Sequence, residues 1–236
     1  MKNSLLTFLN GSDMPYRLKR LIVRIFALLT FRKFKSLNRH LLTDNSRKTG
    51  EWFYPEFNNE IRRNKNCSSY IPVINSDWET RLSHIKDKES KTFMDAGCGA
   101  GYILYRACEY FKHVIGFDFF EPLVKVAHKE LSTRGIDKSK WTAIEADARN
   151  VPKDIMDRVD VFFMANPFLG EIMEAFIEQI IASIKRKDRD VHIIYVKNMG
   201  RKTILKHGVF QSVEVFRDKN LSTFDTEIFE YKKAAK

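Results

Sequence analysis

The sequence predicts an α/β protein built on a doubly wound, mostly parallel seven-stranded sheet that ends in an antiparallel hairpin. From residue 91 onward, short continuous apolar segments alternate with helical patterns, which is typical of parallel strands buried on both faces. The last two segments alternate apolar and polar residues with no helix between them, which predicts antiparallel pairing. A chain of 236 residues with 44% hydrophobic content is long enough to bury one such core.

The individual strands and helices follow from length and periodicity. Five continuous apolar segments predict parallel strands at residues 92–97, 113–120, 141–148, 160–168 and 191–197. The two alternating segments predict the terminal hairpin at residues 208–216 and 223–231. Helical periodicity predicts helices at residues 102–111, 122–131 and 171–184. Ligands of open α/β sheets bind at the carboxyl ends of the strands, so we expect the site at that edge.

The chain divides into three predicted parts. Residues 1–45 form a basic N-terminal extension, residues 46–90 a polar and aromatic connector, and residues 91–236 the sheet domain. We expect the connector to cap the site and to contain a short helix at residues 77–85. Three cysteines without a CxxC pair predict neither a disulfide framework nor a zinc site, which favours a cytoplasmic protein.

The basic extension has a strong charge asymmetry. Eight Lys or Arg residues and no acidic residue lie between positions 17 and 39, and the whole chain has a net charge of +11. Apolar residues in this stretch recur at helical spacing, which predicts an amphipathic helix, at Leu18, Leu21, Ile25 and Leu28. The apolar run is too short to span a bilayer, and Arg24 interrupts it.

Three interpretations of this helix stay open. It packs on the sheet domain, it lies on an anionic membrane surface through residues 17–43, or it binds nucleic acid, which we favour less as a partner. The second interpretation places a cytoplasmic protein peripherally on the inner face of the membrane.

Residues 95–101 read DAGCGAG, directly at the end of the first predicted strand. Glycines at alternate positions let a ligand approach the backbone N–H groups of a tight turn before a helix. The spacing does not fit a dinucleotide fingerprint, because Tyr102 or Leu104 stands where its third glycine is needed. The chain also has no GK[ST] sequence of a P-loop. The pattern that remains is an acidic residue followed by three alternate glycines, namely Asp95, Gly97, Gly99 and Gly101.

This pattern resembles motif I of the class I S-adenosylmethionine-dependent methyltransferases, which share a Rossmann-like fold, and further landmarks follow in that family's order. The resemblance implies that Asp118, at the end of the second strand, binds the ribose hydroxyls. It implies that Asp147 and Ala148 bracket the adenine, with Phe119 against its face. Tyr102 would line the methionine end of the cofactor. The implied cofactor is S-adenosyl-L-methionine, with no metal.

The fourth predicted strand ends in Asn166, Pro167 and Phe168, which resembles the NPPY-type motif of amino-methylating enzymes without its second proline. The resemblance implies that these three residues form the catalytic acceptor site, where the Asn side chain and a neighbouring carbonyl hold an amine. The single-proline form also resembles a group of bacterial methyltransferases with a YxP element before motif I. Tyr70 and Pro72 stand in that position and are implied on the substrate side.

Two hypotheses of different class follow. The first is a methyltransferase that acts on an oxygen or nitrogen of a glycan, lipid-linked sugar or small metabolite near the membrane. Nucleic acid and protein nitrogens are alternative acceptors. The second is a non-catalytic module of the same fold whose basic helix is the functional part. We favour the enzyme, because a module without cofactor has no need of DAGCGAG, Asp118 and Asp147. An oxygen acceptor also requires a general base, and no residue pattern identifies one.

Overall fold

The computed structural model describes residues 54, 57, 61, 67–68, 78–196, 199–216 and 225–233. Within these residues one sheet contains seven strands: β1 Thr92–Ala96, β2 His113–Asp118, β3 Trp141–Glu145, β4 Val161–Met164, β5 Val191–Val196, β6 Gln211–Phe216 and β7 Thr226–Tyr231. The strand order is β3-β2-β1-β4-β5-β7-β6. The first five strands are parallel and the last two antiparallel. The predicted fold class is therefore confirmed, with β7 inserted between β5 and β6.

Six α-helices flank the strands in the described part of the chain: α1 Trp78–Leu82, α2 Tyr102–Ala107, α3 Glu121–Thr133, α4 Lys153–Met156, α5 Gly170–Arg186 and α6 Arg201–Leu205. The three helices predicted from periodicity correspond to α2, α3 and α5, although α2 ends four residues earlier than predicted. The sequence did not predict α4 and α6. Each spans only one turn, which is too short for a helical period to be recognised.

The strands are apolar throughout because both faces of the sheet are covered. Successive side chains of a strand point to opposite faces. Met94 and Phe162 accordingly join the core cluster that contains residues of α5, whereas Phe93 and Phe163 join the cluster that contains Trp78 of α1. All four strand residues are fully buried. This two-sided burial explains why the sequence shows continuous apolar runs rather than alternation.

The parallel register brings four turns to one edge of the sheet. Ala96 of β1 lies beside Phe117 of β2 and Met164 of β4, and Asp118 lies beside Glu145 of β3. The glycine turn, the end of β2 and the segments that follow β3 and β4 therefore leave the sheet together. This is the edge where the sequence places the site.

Several predictions fall outside the described residues. These are the amphipathic helix of the basic extension and the substrate-side residues Tyr70 and Pro72. The division of the chain at residues 45 and 90 likewise stays a prediction. Among the residues that the structure describes, no helix has both the length and the apolar character needed to cross a bilayer.

Candidate functional site

A cavity opens at the carboxyl edge of the sheet. Ligand sites of open α/β sheets lie in this position. Most of the predicted site residues line it: Asp95, Gly97, Tyr102, Asp118, Phe119, Asp147, Ala148, Pro167 and Phe168. Gly99, Gly101 and Asn166 are not part of the lining.

The glycine turn packs closely against other parts of the chain. Gly97 has φ of 75°, and a Cβ at this position would lie 2.5 Å from Cβ of Pro167. A Cβ at Gly101 would lie 2.9 Å from Cβ of Ala127 in α3. The sequence offered only ligand approach as the reason for these glycines. The structure adds a packing reason for two of them.

Gly97→Ala is expected to lower the free energy of unfolding by about 2–5 kcal/mol. Of this loss, about 1–2 kcal/mol comes from the positive φ and the rest from displacement of Pro167, since overpacking typically costs about 1–3 kcal/mol. Gly135→Ala is the matched control, because Gly135 has φ of 69° and nothing within 4 Å of the added Cβ. Urea unfolding of both variants measures the difference. Equal losses would mean that the approach to Pro167 has no energetic consequence.

Asp118 holds the glycine turn from the neighbouring strand end. Its Oδ2 accepts a hydrogen bond from the backbone N–H of Gly99 at 2.9 Å, and its Oδ1 accepts from that of Phe120 at 3.0 Å. Burial raises the pKa of the Asp118 carboxyl, and the bonds from Phe120 and Gly99 oppose that rise. Each carboxylate oxygen keeps a further lone pair, so Asp118 is able to accept from ribose hydroxyls as predicted.

Asp95 places a second carboxyl group in the same wall. It is buried, and burial together with the charge of Asp118 raises its pKa well above the usual value. Two neighbouring carboxyl groups in a buried wall favour a cation between them, because a positive charge relieves both desolvation and mutual repulsion.

The segment after β3 carries the predicted adenine residues and one that the sequence analysis missed. Asp147 accepts a hydrogen bond from the backbone N–H of Arg149 at 2.8 Å, and both of its carboxylate oxygens lie 3.0 Å from Nε of the same residue. These side-chain hydrogen bonds from Arg149 lower the pKa of Asp147. Arg149 also lines the cavity. Ala148 is fixed by its carbonyl, which accepts from Nε2 of Gln179 at 2.7 Å.

The two phenylalanines after β2 have different surroundings. Phe119 lines the cavity and is 38% exposed, which is unusual for a large apolar side chain. Phe120 instead packs edge-on against Phe57 of the connector, with 5.4 Å between ring centroids. Phe119 therefore keeps part of its surface exposed at the cavity, where the predicted adenine contact would form.

Asn166 lies two residues beyond the end of β4 in a left-handed backbone conformation. Its φ is +54°, in a region that asparagine adopts more readily than most residues other than glycine. Its side-chain Oδ1 accepts a hydrogen bond from the Tyr195 hydroxyl at 3.2 Å, and that hydroxyl accepts from the Gly200 N–H at 2.9 Å. Backbone strain of this kind persists where surrounding contacts hold it, and it is enriched at functional sites.

The connector closes the cavity beside Asn166. The Ser68 hydroxyl donates to the Asn166 carbonyl at 2.6 Å, and the Ser68 N–H donates to the Pro167 carbonyl at 3.0 Å. Cys67 forms an antiparallel bridge with Phe168. Cys67 and Ser68 both line the cavity, although the sequence analysis did not single out either of them. The backbone N–H and the hydroxyl of Ser68 thus each donate a hydrogen bond to a carbonyl of the Asn-Pro turn.

The described lining residues of the cavity include no histidine or lysine. His192 lies at the opposite end of β5, where its Nε2 is 2.8 Å from Glu230, and His207 pairs with Glu174 at 2.8 Å. Burial lowers the pKa of His192. Both histidines therefore have structural partners away from the cavity.

Comparison with known sequences identifies the family. A family model described as a methyltransferase domain matches residues 87–227. A Saccharomyces cerevisiae protein described as a "probable S-adenosylmethionine-dependent methyltransferase" is 32% identical over 98 residues, which are 42% of this chain and 33% of that protein. A tRNA U34 carboxymethyltransferase of Shewanella halifaxensis is 45% identical over 42 residues, 17% of this chain and 13% of that protein. The matched segments thus span about a third or less of these curated relatives.

Solved structures support the fold. An RNA methyltransferase from Salinibacter ruber, in complex with S-adenosyl-L-homocysteine, has a TM-score of 0.51 at 15% identity, covering 70% of this chain and 95% of that chain. An rRNA methylase from Streptococcus thermophilus has a TM-score of 0.50 at 19% identity, covering 70% of this chain and all of that one. At these identities the similarity extends to the fold alone.

Proposed function

We propose that this chain, which belongs to the methyltransferase domain family, is an S-adenosylmethionine-dependent methyltransferase whose acceptor is a glycan, lipid-linked sugar or small metabolite near an anionic membrane surface. When bound, the cofactor supplies an electrophilic methyl group on a sulfonium. The protein contributes an enclosed cavity in which the acceptor atom, an oxygen or nitrogen, is held in line with that methyl group. Alignment of this kind supplies much of the rate of a displacement reaction.

The cavity residues fit the cofactor. Asp118 offers carboxylate oxygens for vicinal hydroxyls, and Phe119 offers a partly exposed aromatic side chain for the base. Asp95, whose pKa is raised by burial and by Asp118, suits the positively charged methionine end. These residues bind and orient the cofactor from the ends of the two neighbouring strands β1 and β2.

The contacts of Ser68 at the Asn-Pro turn bear on the choice of acceptor. An amino group held by an Asn-Pro turn needs free carbonyl oxygens to accept its N–H groups. Here Ser68 already donates to the carbonyls of Asn166 and Pro167, and Tyr195 donates to the Asn166 side chain. Each of these oxygens keeps a second lone pair, so the contacts limit the directions from which the exocyclic amine of a nucleobase could donate. A hydroxyl group has only one O–H to place against the remaining lone pairs, and its proton must pass to a base when the methyl group is transferred.

RNA is the second candidate acceptor, for a separate reason. The Shewanella relative is named for tRNA modification and two structural neighbours are named as RNA methylases. The net charge of +11 also favours a polyanionic partner. A ribose hydroxyl or a ring nitrogen could accept the methyl group without donating hydrogen bonds to the carbonyls that Ser68 contacts.

Methyl-labelled S-adenosylmethionine and fractionated host extract distinguish these acceptors. We expect the label in a glycan or organic-solvent fraction that withstands ribonuclease and protease. Excess unlabelled S-adenosylhomocysteine, which should block the transfer, is the control. Ribonuclease-sensitive label would establish RNA as the acceptor, and protease-sensitive label a protein. Either result would overturn the proposed acceptor class while leaving the methyltransferase activity intact.

The membrane part of the proposal predicts binding to anionic vesicles. The basic residues between positions 17 and 39 should each contribute about 1 kcal/mol where they reach the surface. The apolar stripe of the predicted helix, formed by Leu18, Leu21, Ile25 and Leu28, should insert between the lipids. Binding should therefore be only partly sensitive to salt. The full chain is expected to cosediment with phosphatidylserine-containing liposomes and not with neutral ones. Leu21→Glu combined with Ile25→Glu should release it without lowering the melting temperature.

Two other outcomes would contradict membrane binding. If the double variant has a lower melting temperature and the wild type does not bind liposomes, the apolar stripe packs on the sheet domain. If the protein instead binds RNA with a steep loss of affinity as salt rises, the basic residues serve nucleic acid.

A further inference from the structure

Arg149 folds back over the residue that was expected to recognise adenine. Its Nε lies 3.0 Å from both carboxylate oxygens of Asp147, its Nη2 forms a further hydrogen bond to Oδ2, and its backbone N–H donates to Oδ1. Charge-assisted, bidentate pairs of this kind are the stronger class of hydrogen bond. The adenine 6-amino group, a neutral donor, would have to compete for a carboxylate that a guanidinium already holds.

The position of the pair points to a different role. Arg149 and Asp147 line the cavity just after β3, and Phe119 lines it just after β2. These two strands are neighbours, with Asp118 beside Glu145 at their ends. The cavity thus has an aromatic ring on one strand end and a guanidinium on the next. Arg149 is also the only Lys or Arg among the described lining residues.

A guanidinium held in place is well suited to contact a purine. It is planar, weakly hydrated and stacks on π faces. Asp147 fixes its orientation before the ligand arrives, so less rotamer entropy is lost on binding. More than half of the Arg149 side chain is exposed, which leaves surface for a base to cover.

We propose that Arg149 is a cofactor-binding residue whose guanidinium stacks on the adenine ring, and that Asp147 acts chiefly by holding this guanidinium. Asp147 is then a positioning residue and does not itself bind the 6-amino group. The inference depends on the S-adenosylmethionine cofactor, and it is independent of the acceptor proposed above.

The two roles of Asp147 are separable with a pair of ligands. One is S-adenosylhomocysteine, and the other is its analogue with unsubstituted purine as the base, which lacks the 6-amino group but keeps the ring nitrogens and the stacking face. Isothermal titration calorimetry of the full chain measures the Kd of both. The variants are Arg149→Ala, Arg149→Lys, Asp147→Ala and the double alanine variant. Arg186→Ala is the matched control, since Arg186 makes a similar bidentate pair with Asp157 but does not line the cavity.

Stacking predicts that Arg149→Ala raises the Kd of both ligands equally, by about tenfold. Arg149→Lys should not restore affinity, because an ammonium has no planar face. Asp147→Ala should weaken both ligands by the same, smaller factor. The double variant should be no weaker than Arg149→Ala, because Asp147 acts through Arg149. Arg186→Ala should bind like the wild type.

Three results would overturn the proposal. Weaker binding of the adenine ligand, but not of the purine ligand, by Asp147→Ala would show that Asp147 binds the 6-amino group. Full rescue by Arg149→Lys would indicate charge attraction alone, and an unchanged Kd in Arg149→Ala would exclude any contact. Failure of the wild type to bind S-adenosylhomocysteine would overturn the cofactor site as a whole, and that result is distinct from the other three.

Discussion

Asp118→Ala is expected to raise the Kd of S-adenosylhomocysteine at least about 100-fold, because two hydrogen bonds from ribose hydroxyls to a charged acceptor are each worth about 1.5–3 kcal/mol. Ligand at about 100 times the wild-type Kd should stabilise the wild type by about 2.7 kcal/mol. The same concentration should stabilise the variant by only about 0.4 kcal/mol. Calorimetry and thermal unfolding with and without ligand measure these two quantities.

The structure changes what is expected of the unliganded variant. If Asp118 contacted only the ligand, Asp118→Ala would leave the melting temperature of the unliganded protein nearly unchanged. Because the carboxylate accepts the N–H groups of Gly99 and Phe120, its removal leaves both donors without this partner, at about 1–3 kcal/mol for each that stays buried. Removal of a desolvated carboxylate partly offsets that loss. Some loss of stability is therefore expected, and the test is the ligand-induced shift within each variant.

Two further variants isolate the ribose contact. Asp118→Asn keeps an acceptor for one N–H group and should retain more stability than the alanine variant. Asp137→Ala is the matched control, because Asp137 likewise accepts a backbone N–H, from Ser139, but lies outside the cavity lining. It should lose stability and keep full affinity for the ligand. Wild-type affinity in Asp118→Ala would refute the role assigned to this carboxylate.

The pKa of Asp118 should make the affinity for S-adenosylhomocysteine depend on pH. Burial raises this pKa, and only the ionised carboxylate accepts from both hydroxyls. Affinity for S-adenosylhomocysteine should therefore be complete above the raised pKa and fall as pH decreases through it, at a higher pH than for an ordinary aspartate. Asp95 also has a raised pKa and would contribute to the decrease. Asp118→Asn removes the Asp118 part, so its pH profile should be flatter than that of the wild type.

The part of the site that sequence predicted is the part determined by strand order. Asp95, Asp118 and Asp147 each lie at or just after the end of a parallel strand, and parallel strands end at a common edge. Once the alternation of strands and helices is recognised, the convergence of these residues on one edge follows from topology. No knowledge of side-chain conformation is needed, which is why these positions were predictable.

The missed residues depend on contacts that leave no local pattern. Ser68 reaches the Asn-Pro turn across 98 positions of the chain, and no periodicity connects the two segments. Arg149 is two residues from Asp147, but only its side-chain conformation reveals that it holds the carboxylate. Tyr195 resembles any buried aromatic residue of a central strand until its hydroxyl is seen to donate to Asn166.

Asn166→Ala is expected to lower turnover by roughly 100-fold, since misplacement of a reacting group by about 1 Å has an effect of that size. The Asn166 side chain accepts a hydrogen bond from the Tyr195 hydroxyl and donates one to the Ser68 hydroxyl. The next two residues, Pro167 and Phe168, line the cavity. Loss of the Asn166 side chain should let this wall shift relative to the cofactor. The Kd of S-adenosylhomocysteine should change by less than about threefold, because the residue lies outside the lining of the cofactor cavity. Transfer of labelled methyl to the host acceptor fraction, together with calorimetry, gives both numbers.

The left-handed backbone at Asn166 requires a control. Alanine at φ of +54° adds strain of about 1–2 kcal/mol, which by itself would shift the turn. Asn166→Gly removes the side chain without that strain, so an equal loss of turnover in both variants assigns the effect to the amide group. Tyr195→Phe removes only the hydroxyl that anchors Oδ1, and a smaller loss in the same direction is expected. If turnover and cofactor affinity instead fall together in Asn166→Gly, the residue shapes the end of β4 and has no separate part in holding the acceptor.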